Sequence, residues 1–537
     1  MRAMKMNNTI SKARLFLAPM VAVALTATAY AAAPGIKGTT FNLTAQPAYL
    51  SQPDGASIYS WGYGCTSTSG NTFVPAMTVT AFCNTMQVPG PTLIVTEGQT
   101  VTVNLLNNLP TAAGNTSILF PGIQVTATGS SSVVGLLTQE AAHGGTVTYT
   151  FTAPSPGTRA YYSGTQGDLQ VEMGLYGAII VLPSSVPTAC TTGLAATNLA
   201  VEAHWHESDF RLAAAAYDHA KTCYDREYLF QFAEMDPNIH SQALAQVAAN
   251  VTTLQVPTEP YHPAYFLING RSMPDDMDGN YAPMYPHQPY NGNPHMHPGE
   301  QVLLRVIGQG RWQHPFHEHA NHVRILGRDG NLILSQSDAT LLAGPLLFTT
   351  TTTPGLAFDG IFYFTGRGLN WDMYAHRPSS DPAGDPNAKL PCTPDANGYN
   401  TGVAAQSQIN YYEWCQDHNK PLEVAPFGDV NANGPATLPF ANILTNGAWY
   451  GGSPYLGPNA TTRATGCMAG APAGSCGNTG VTPPSGTIAN SPSGEAGFAF
   501  MWHSHNEREI TTSNAFPGGM LMMMLVDSRE FVIDESN

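Results

Sequence analysis

Hydrophobic and polar residues alternate along most of the chain with a period of two. In the segment Thr100–Leu106 (TVTVNLL), apolar and polar residues alternate, and glycine, proline and asparagine occur in the flanking sequence. Because successive side chains of a strand point to opposite faces, this pattern predicts strands with one buried face. One β-rich block occupies residues 39–190 and a second occupies residues 224–530.

The 537 residues are most simply divided into two sandwich-like domains. Between the two blocks, residues 191–223 are predicted to be a linker, and the run Ala213–Ala220 has the composition of a short helix. Within the second block, residues from about 381 to 493 are rich in glycine, proline, asparagine and threonine. We expect a long, ordered, loop-rich insertion there, because so long a bare loop is unusual in a compact domain.

The first 31 residues have the composition of a secretory signal peptide. Basic residues precede an apolar run from Leu15 to Leu25, and small residues surround the predicted cleavage site after Ala31. The apolar run is too short for a membrane anchor and Pro19 interrupts it. We therefore expect a secreted, periplasmic or cell-surface protein with no membrane span after signal removal.

The acidic charge balance argues against a nucleic-acid partner. Removal of the four basic residues of the signal segment would take the formal net charge from −16 to −20. Phosphate contacts need clustered lysine and arginine, which this chain lacks.

Eight cysteines, an even number in an exported chain, suggest disulfides that act as structural staples. Sequence order offers four local pairs, although spacing alone does not prove the connectivity: Cys65 with Cys83, Cys190 with Cys223, Cys392 with Cys415, and Cys467 with Cys476.

Two groups of histidines stand out from the 17 in the chain. The segment HPFHEHANH contains His314, His317 and His319, and the segment WHSHN contains His503 and His505. Residues two apart on a strand face the same side, so two paired strands of this kind would present four imidazoles to one point, a set suited to copper, zinc or iron. A single H-x-H is otherwise often a pair of solvated strand residues.

Three further segments have simpler explanations. His204 and His206 in AHWHESD are expected at the surface, and a polar turn accounts for the two histidines of NPHMHPGE. The run MLMMML at residues 520–525 is expected to be core.

Four segments together resemble the multicopper oxidases, a family of cupredoxin domains with a mononuclear copper and a three-copper cluster that reduces dioxygen. They are VPGPTLIVTEGQTVTVNLLNNL, GTRAYYSGTQGDLQVEMGLYGAIIV, HPFHEHANHVRILGRDG and MWHSHNEREITTSNAFPGGM. The resemblance implies an all-β fold of two cupredoxin-like Greek-key β-sandwich domains, with the loop-rich insertion in the second. It also implies that His314 takes the mononuclear copper position, while His317, His319, His503 and His505 take cluster positions.

The copper ligands of the family are incomplete in this chain. Where the family has H-W-H-G in its first domain, this chain has Leu119-Phe120-Pro121-Gly122, and where it has Y-H-S-H, this chain has Tyr161-Tyr162-Ser163-Gly164. Ser504 replaces the cysteine of the family's H-C-H, and Glu509 replaces the histidine that follows it. A serine hydroxyl cannot supply the thiolate of a blue copper site, so ordinary four-electron reduction of oxygen is not expected.

These observations favour a secreted protein that binds copper through a histidine cluster in its second domain, with any oxidoreductase activity lacking a blue copper centre. Glu507 or Glu509 would lie near that site. The alternative is a non-catalytic extracellular structural or assembly protein on a degenerate cupredoxin scaffold. Copper ions are the expected partners, and the sequence leaves a homo-oligomer or an extracellular protein partner open.

Overall fold

The structure is a computed structural model that describes residues 33–66, 70–74, 84–129, 131–366, 392–415, 453–456 and 496–533. The predicted signal peptide, most of the predicted insertion, Cys83, Cys467 and Cys476 lie outside these residues.

Two five-stranded sheets contain the strands of the first block. Twelve strands are described here: β1 Gly35–Lys37, β2 Thr40–Ser51, β3 Ser57–Thr66, β4 Thr72–Val74, β5 Gly90–Thr96, β6 Thr100–Asn107, β7 Thr126–Thr128, β8 Ser132–Val134, β9 Gln139–Ala141, β10 Thr146–Thr152, β11 Gly157–Tyr162 and β12 Tyr176–Leu182. One sheet has the order β11-β12-β5-β1-β4 and the other β3-β2-β6-β10-β7, while β8 and β9 form a separate hairpin.

Alternation along these strands places one apolar face in the first core. In β6 the valines at 101 and 103 are buried while the threonines beside them are not, as the period of two predicts. Val103 lies opposite Tyr149 of β10, and both side chains join a cluster that includes Trp61. Full burial of a large apolar side chain of this kind contributes about 1.5–3 kcal/mol to stability.

A seven-stranded and a six-stranded sheet contain the strands of the second block. The described strands are β13 Arg226–Met235, β14 Tyr265–Ile268, β15 His295–Met296, β16 Gln301–Gly308, β17 His314–Glu318, β18 Val323–Arg328, β19 Asn331–Leu332, β20 Leu346–Leu347, β21 Thr349–Thr352, β22 Ala357–Tyr363, β23 Ser453–Leu456, β24 Ala496–Ser504 and β25 Leu521–Asp527. The seven-stranded sheet runs β14-β13-β16-β22-β18-β19 with β20 beside β18, and the other runs β15-β25-β24-β17-β21 with β23 beside β24.

The core of the second sandwich is aromatic and rich in methionine. Trp502 of β24 is fully buried between Phe316 and Phe362, and Met522 of β25 belongs to the same cluster. The segment MLMMML was predicted to be part of a core, and this is confirmed for Met520, Met522 and their neighbours in this cluster. The predicted all-β fold is confirmed, with two main sheets in each β-rich block.

Three helices accompany the sheets in the described part of the chain: α1 Gly167–Gln170, α2 Gly193–His204 and α3 Pro237–Ala248. Helix α2 lies inside the predicted linker. Helix α3 follows the predicted boundary at residue 224, yet its Ile239 and Ala243 pack into the core of the first sandwich. The domain boundaries stay a prediction. None of the helices described is long and apolar enough to cross a membrane.

Two of the predicted disulfides are present in the described residues. Cys190 joins Cys223, and Cys392 joins Cys415. Cys65 is disulfide-bonded as well. The first of these bonds closes the segment that connects the two sandwiches, and the second lies in the described part of the predicted insertion.

Candidate metal centre

Strands β17 and β24 bring the two histidine motifs together. They pair antiparallel, and His317 lies directly opposite His503 in the register. Side chains at directly opposite positions of an antiparallel pair lie on the same face and close together. His319, one residue beyond the end of β17, lies beside them, because its ring centroid is 5.3 Å from that of His503.

Three imidazoles of this group converge on one point. His317, His319 and His503 each offer a nitrogen, and these three nitrogens lie within 4.8 Å of one another. The Nε2 atoms of His319 and His503 are 3.3 Å apart. Two nitrogens that each lie about 2.0 Å from one ion at a tetrahedral angle are about 3.3 Å apart, so this spacing fits shared coordination. All three side chains are at most 6% exposed.

Hydrogen bonds at the outer ring nitrogens orient two of these histidines. The Nδ1 atom of His503 is 2.7 Å from the Ser504 carbonyl oxygen, which can only accept, so Nδ1–H donates and Nε2 keeps its lone pair. The Nδ1 atom of His317 is 2.7 Å from the Thr349 hydroxyl on β21. The carbonyl partner fixes the tautomer of His503, and the hydroxyl partner orients the ring of His317, as hydrogen-bond partners of metal-binding histidines do.

The surroundings disfavour protonation of His317 and His503. Burial, followed by the charges of the neighbouring imidazoles, lowers the pKa of His317 to about 4. Burial also lowers the pKa of His503. Since a metal ion binds the neutral form of imidazole, these rings do not have to lose a proton at neutral pH before they coordinate.

His505 stands at the exposed edge of the group. Its ring centroid is 4.9 Å from that of His317 and 5.4 Å from that of His503. The residue is exposed, and its backbone N–H donates to the Pro315 carbonyl of β17. The structure thus brings four of the five candidate metal ligands together, three of them buried and one at the surface.

Comparisons with known proteins point to one family. A sequence model of the multicopper oxidases matches residues 68–186. Multicopper oxidase MCE of Talaromyces pinophilus is 36% identical over 107 residues, which cover 20% of this chain and 17% of that relative's length. The resemblance to the multicopper oxidases that the sequence motifs predicted is thus confirmed, with the family match at residues 68–186.

Solved structures of multicopper oxidases cover more of the chain at lower similarity. The blue copper oxidase from Nitrosomonas europaea is 16% identical, with a TM-score of 0.44, and the alignment covers 91% of this chain and 85% of that one. Multicopper oxidase mgLAC is 14% identical, with a TM-score of 0.43, and the alignment covers 91% of this chain and 86% of that one.

His314 does not join the histidine group, although the multicopper oxidase pattern assigns it a copper. Its Nδ1 atom is 2.9 Å from Glu509 and its Nε2 atom is 3.0 Å from Glu234, and all three side chains are buried. Burial alone lowers the pKa of His314, but the hydrogen bonds and charges of the two carboxylates outweigh it and raise the pKa to about 9. A doubly protonated ring has no lone pair for a metal, so an ion triad stands at this position.

Ser504 is part of the same network. Its hydroxyl donates to Glu509 over 2.5 Å, and the Asn506 side chain donates to the other oxygen of that carboxylate. Sequence comparison identified Ser504 and Glu509 as replacements for family ligands, whereas it missed Glu234, which lies 80 residues before His314. Glu509 is therefore held by His314 and Ser504. Glu507, the other carboxylate proposed near the site, is exposed.

The first-domain segments that correspond to family ligand motifs do meet in space. Leu119 and Tyr162 form an antiparallel bridge through their backbone groups. The four positions that carry histidine in the family hold Leu119, Pro121, Tyr162 and Gly164 here, and none of these side chains is a copper ligand of the multicopper oxidase type.

A second group of potential ligands, Glu207, His297 and Glu300, was missed in the sequence. The His297 Nε2 atom is 2.7 Å from Glu207, and its Nδ1 atom is 2.9 Å from the Asp527 carbonyl oxygen. Arg226 forms ion pairs with both glutamates. His297 is fully buried, so a polar turn does not describe it; His204 and His206, in contrast, are exposed as expected. Because the ligand atoms already bind one another and Arg226, this group is an ion-pair network.

Proposed function

We propose that this protein binds copper through His317, His319 and His503, with His505 as a fourth ligand at the exposed edge. The observation that carries the proposal is the convergence of three buried imidazoles across paired strands. Imidazole ligands suit copper, and zinc and iron are the competing ions. The multicopper oxidase match of the first domain favours copper among them.

The proposed centre differs from the usual family arrangement in its electron path. Copper bound by imidazoles would supply one-electron chemistry. Ser504 offers no thiolate, and the His314 position is occupied by its ion pairs with Glu234 and Glu509. We therefore propose a copper oxidoreductase without a blue copper centre, in which a reductant would approach from the side of exposed His505.

The second candidate is a non-catalytic extracellular structural or assembly protein. The four first-domain positions without histidine favour it, because the three-copper cluster of the family needs ligands from that domain. We further propose that residues 1–31 direct export and that the protein acts outside the cytoplasm.

Copper loading followed by metal analysis tests the proposal. The purified protein should retain about one copper per chain after dialysis, and the double variant His319→Ala/His503→Ala should retain less than a tenth of that. The matched control is His204→Ala/His206→Ala, which removes an exposed H-x-H pair and should leave copper retention unchanged. Equal retention in both variants contradicts the site.

Spectroscopy and an oxidase assay then separate the two candidates. Loaded protein should show the paramagnetic signal of copper(II) with nitrogen ligands and no intense blue band. An intense thiolate-to-copper band contradicts the assignment of Ser504. Copper-dependent oxidation of a one-electron donor that disappears in His319→Ala/His503→Ala supports the oxidoreductase, and loaded protein without such activity favours the structural role.

A further inference from the structure

A cavity of about 510 Å³ lies between the two sandwiches, where the first domain presents the segments that replace its copper motifs. Leu119, Tyr162 and Gly164 line it from the first domain, and Gln309 and Gly355 line it from the second. Three of the four positions that carry histidine in the family thus face this cavity. Domain interfaces are common places for ligand pockets, and this volume lies within the usual range for small-molecule sites.

The cavity is apolar and uncharged. None of its thirteen lining residues, all within the described part of the chain, is Asp, Glu, Lys, Arg or His. The loop between β8 and β9 adds Leu136 and Leu137, which are 92% and 64% exposed. Large apolar side chains exposed together at the rim of a pocket are typical of a binding site.

Two side chains in the cavity can fix the orientation of a bound molecule. Burial alone raises the pKa of the Tyr162 phenol, so its hydroxyl stays a neutral hydrogen-bond donor. Gln309 donates its amide to the Gly177 carbonyl and to Gln231, which leaves its Oε1 as the atom to offer a ligand. At the rim, Gln166 adopts a left-handed conformation with φ 44°, a strained state for a residue other than glycine. Such strain clusters at ligand sites.

We propose that this cavity binds an uncharged, largely apolar small molecule that carries a carbonyl or hydroxyl group, with Tyr162 as its hydrogen-bond partner. The volume limits the ligand to a small molecule, the uncharged lining disfavours an ion, and the two polar groups favour one hydrogen-bonding function on an apolar frame. The proposal is independent of copper binding, because it uses none of the histidines.

A neutral fluorescent dye, N-phenyl-1-naphthylamine, serves as the probe for full-length protein. Gly167 lines the cavity and a Cβ added there meets nothing within 4 Å, so a side chain can start at this position, and Gly167→Trp is designed to obstruct the cavity. Gly402 is a matched control, since a Cβ there also meets nothing within 4 Å and the residue does not line the cavity. The dye should bind saturably to the wild type and to Gly402→Trp, and Gly167→Trp should weaken binding at least tenfold.

A second pair of variants changes only exposed side chains and so avoids effects on folding. Leu136→Glu should weaken dye binding at least threefold by placing a charge at the rim, whereas Val403→Glu, at a residue that is 85% exposed elsewhere, should not. Displacement of the dye by 2-acetylnaphthalene should need about three to ten times more ligand in Tyr162→Phe, because one hydrogen bond is lost. Displacement by 2-ethylnaphthalene, which has no carbonyl, should be unchanged.

Equal dye affinity in the wild type, Gly167→Trp and Leu136→Glu overturns the proposal. The oligomeric state of each variant is measured by light scattering. A Gly167→Trp variant that changes its oligomeric state but not its dye affinity also overturns the proposal, because the cavity would then be an interface between copies of the chain.

Discussion

Replacement of His314 by glutamine tests the ion triad that stands where the family places its mononuclear copper. The side chains of His314, Glu234 and Glu509 are at most 1% exposed. A neutral glutamine leaves two buried carboxylates without a counter-charge. Breaking a buried ion pair by removing one partner costs about 3–5 kcal/mol, so His314→Gln should destabilise the second sandwich by that amount near pH 6.

The pH dependence of this loss follows from the pKa of His314. Its ordinary value of 6.5 rises to about 9 in the folded protein, so the folded state binds the proton more tightly than the unfolded state. The stabilisation is therefore fully present below pH 6.5 and is lost as the pH rises through 9. The shift in pKa corresponds to about 3 kcal/mol. The difference in free energy of unfolding between wild type and variant should therefore decrease by this amount from pH 6 to pH 9.5.

Urea unfolding at several pH values, with the disulfides intact, measures the free energy of unfolding of the wild type and of His314→Gln. His204→Gln is the control, because that histidine is exposed and outside the network; its curve should follow the wild type at every pH. A constant difference between wild type and His314→Gln from pH 6 to pH 9.5 refutes the protonated triad. A difference that grows with pH refutes it as well.

Three further predictions concern the metal site, the core and the linker. Because the pKa of His317 is lowered to about 4, bound copper should survive dialysis near pH 5.5, and loss of the metal already near pH 6.5 contradicts the neutral-imidazole site. Trp502→Ala should lower the free energy of unfolding of the second sandwich by about 3–5 kcal/mol, and a loss below about 1 kcal/mol in urea unfolding contradicts its central position. Removal of the Cys190–Cys223 disulfide, which spans 33 residues, should lower the free energy of unfolding by about 3–4 kcal/mol, and unchanged denaturant midpoints in the double serine variant contradict a structural role.

The strand pattern was the most reliable guide to the fold. Strand β6 has the alternating burial that its text predicts, and the methionine-rich β25 lies in the second core. The predicted linker shows a limit of the same reasoning. The run Ala213–Ala220 was expected to be a short helix or part of the linker, and the helix of this segment is α2 at Gly193–His204. The alanine run forms a bridge with Cys223 through Ala215, a contact that local composition does not show.

The sequence predicted which histidines form the candidate site, but it did not predict their protonation states or hydrogen-bond partners. The two H-x-H motifs predicted which imidazoles lie on the same side of a strand, because side-chain direction along a strand alternates with a period of two. The family resemblance, and not the strand pattern, assigned a mononuclear copper to His314. Its state depends on Glu234, which β13 brings close from 80 residues away, and no local pattern signals such a partner.

The sequence by itself determined the all-β class, the two histidine motifs and the absence of a thiolate at Ser504. Side-chain direction along a strand and the chemistry of a ligand are properties of a short sequence segment, so they can be predicted locally. Only the tertiary structure decided that His317 lies opposite His503, that His314 is held by two carboxylates, and that Leu119 and Tyr162 line a cavity. Strand register and sandwich packing are set by contacts between residues far apart in the chain. Register and packing therefore determine which side chains are neighbours, and these neighbours determine the protonation state and the solvent exposure of each residue in the site.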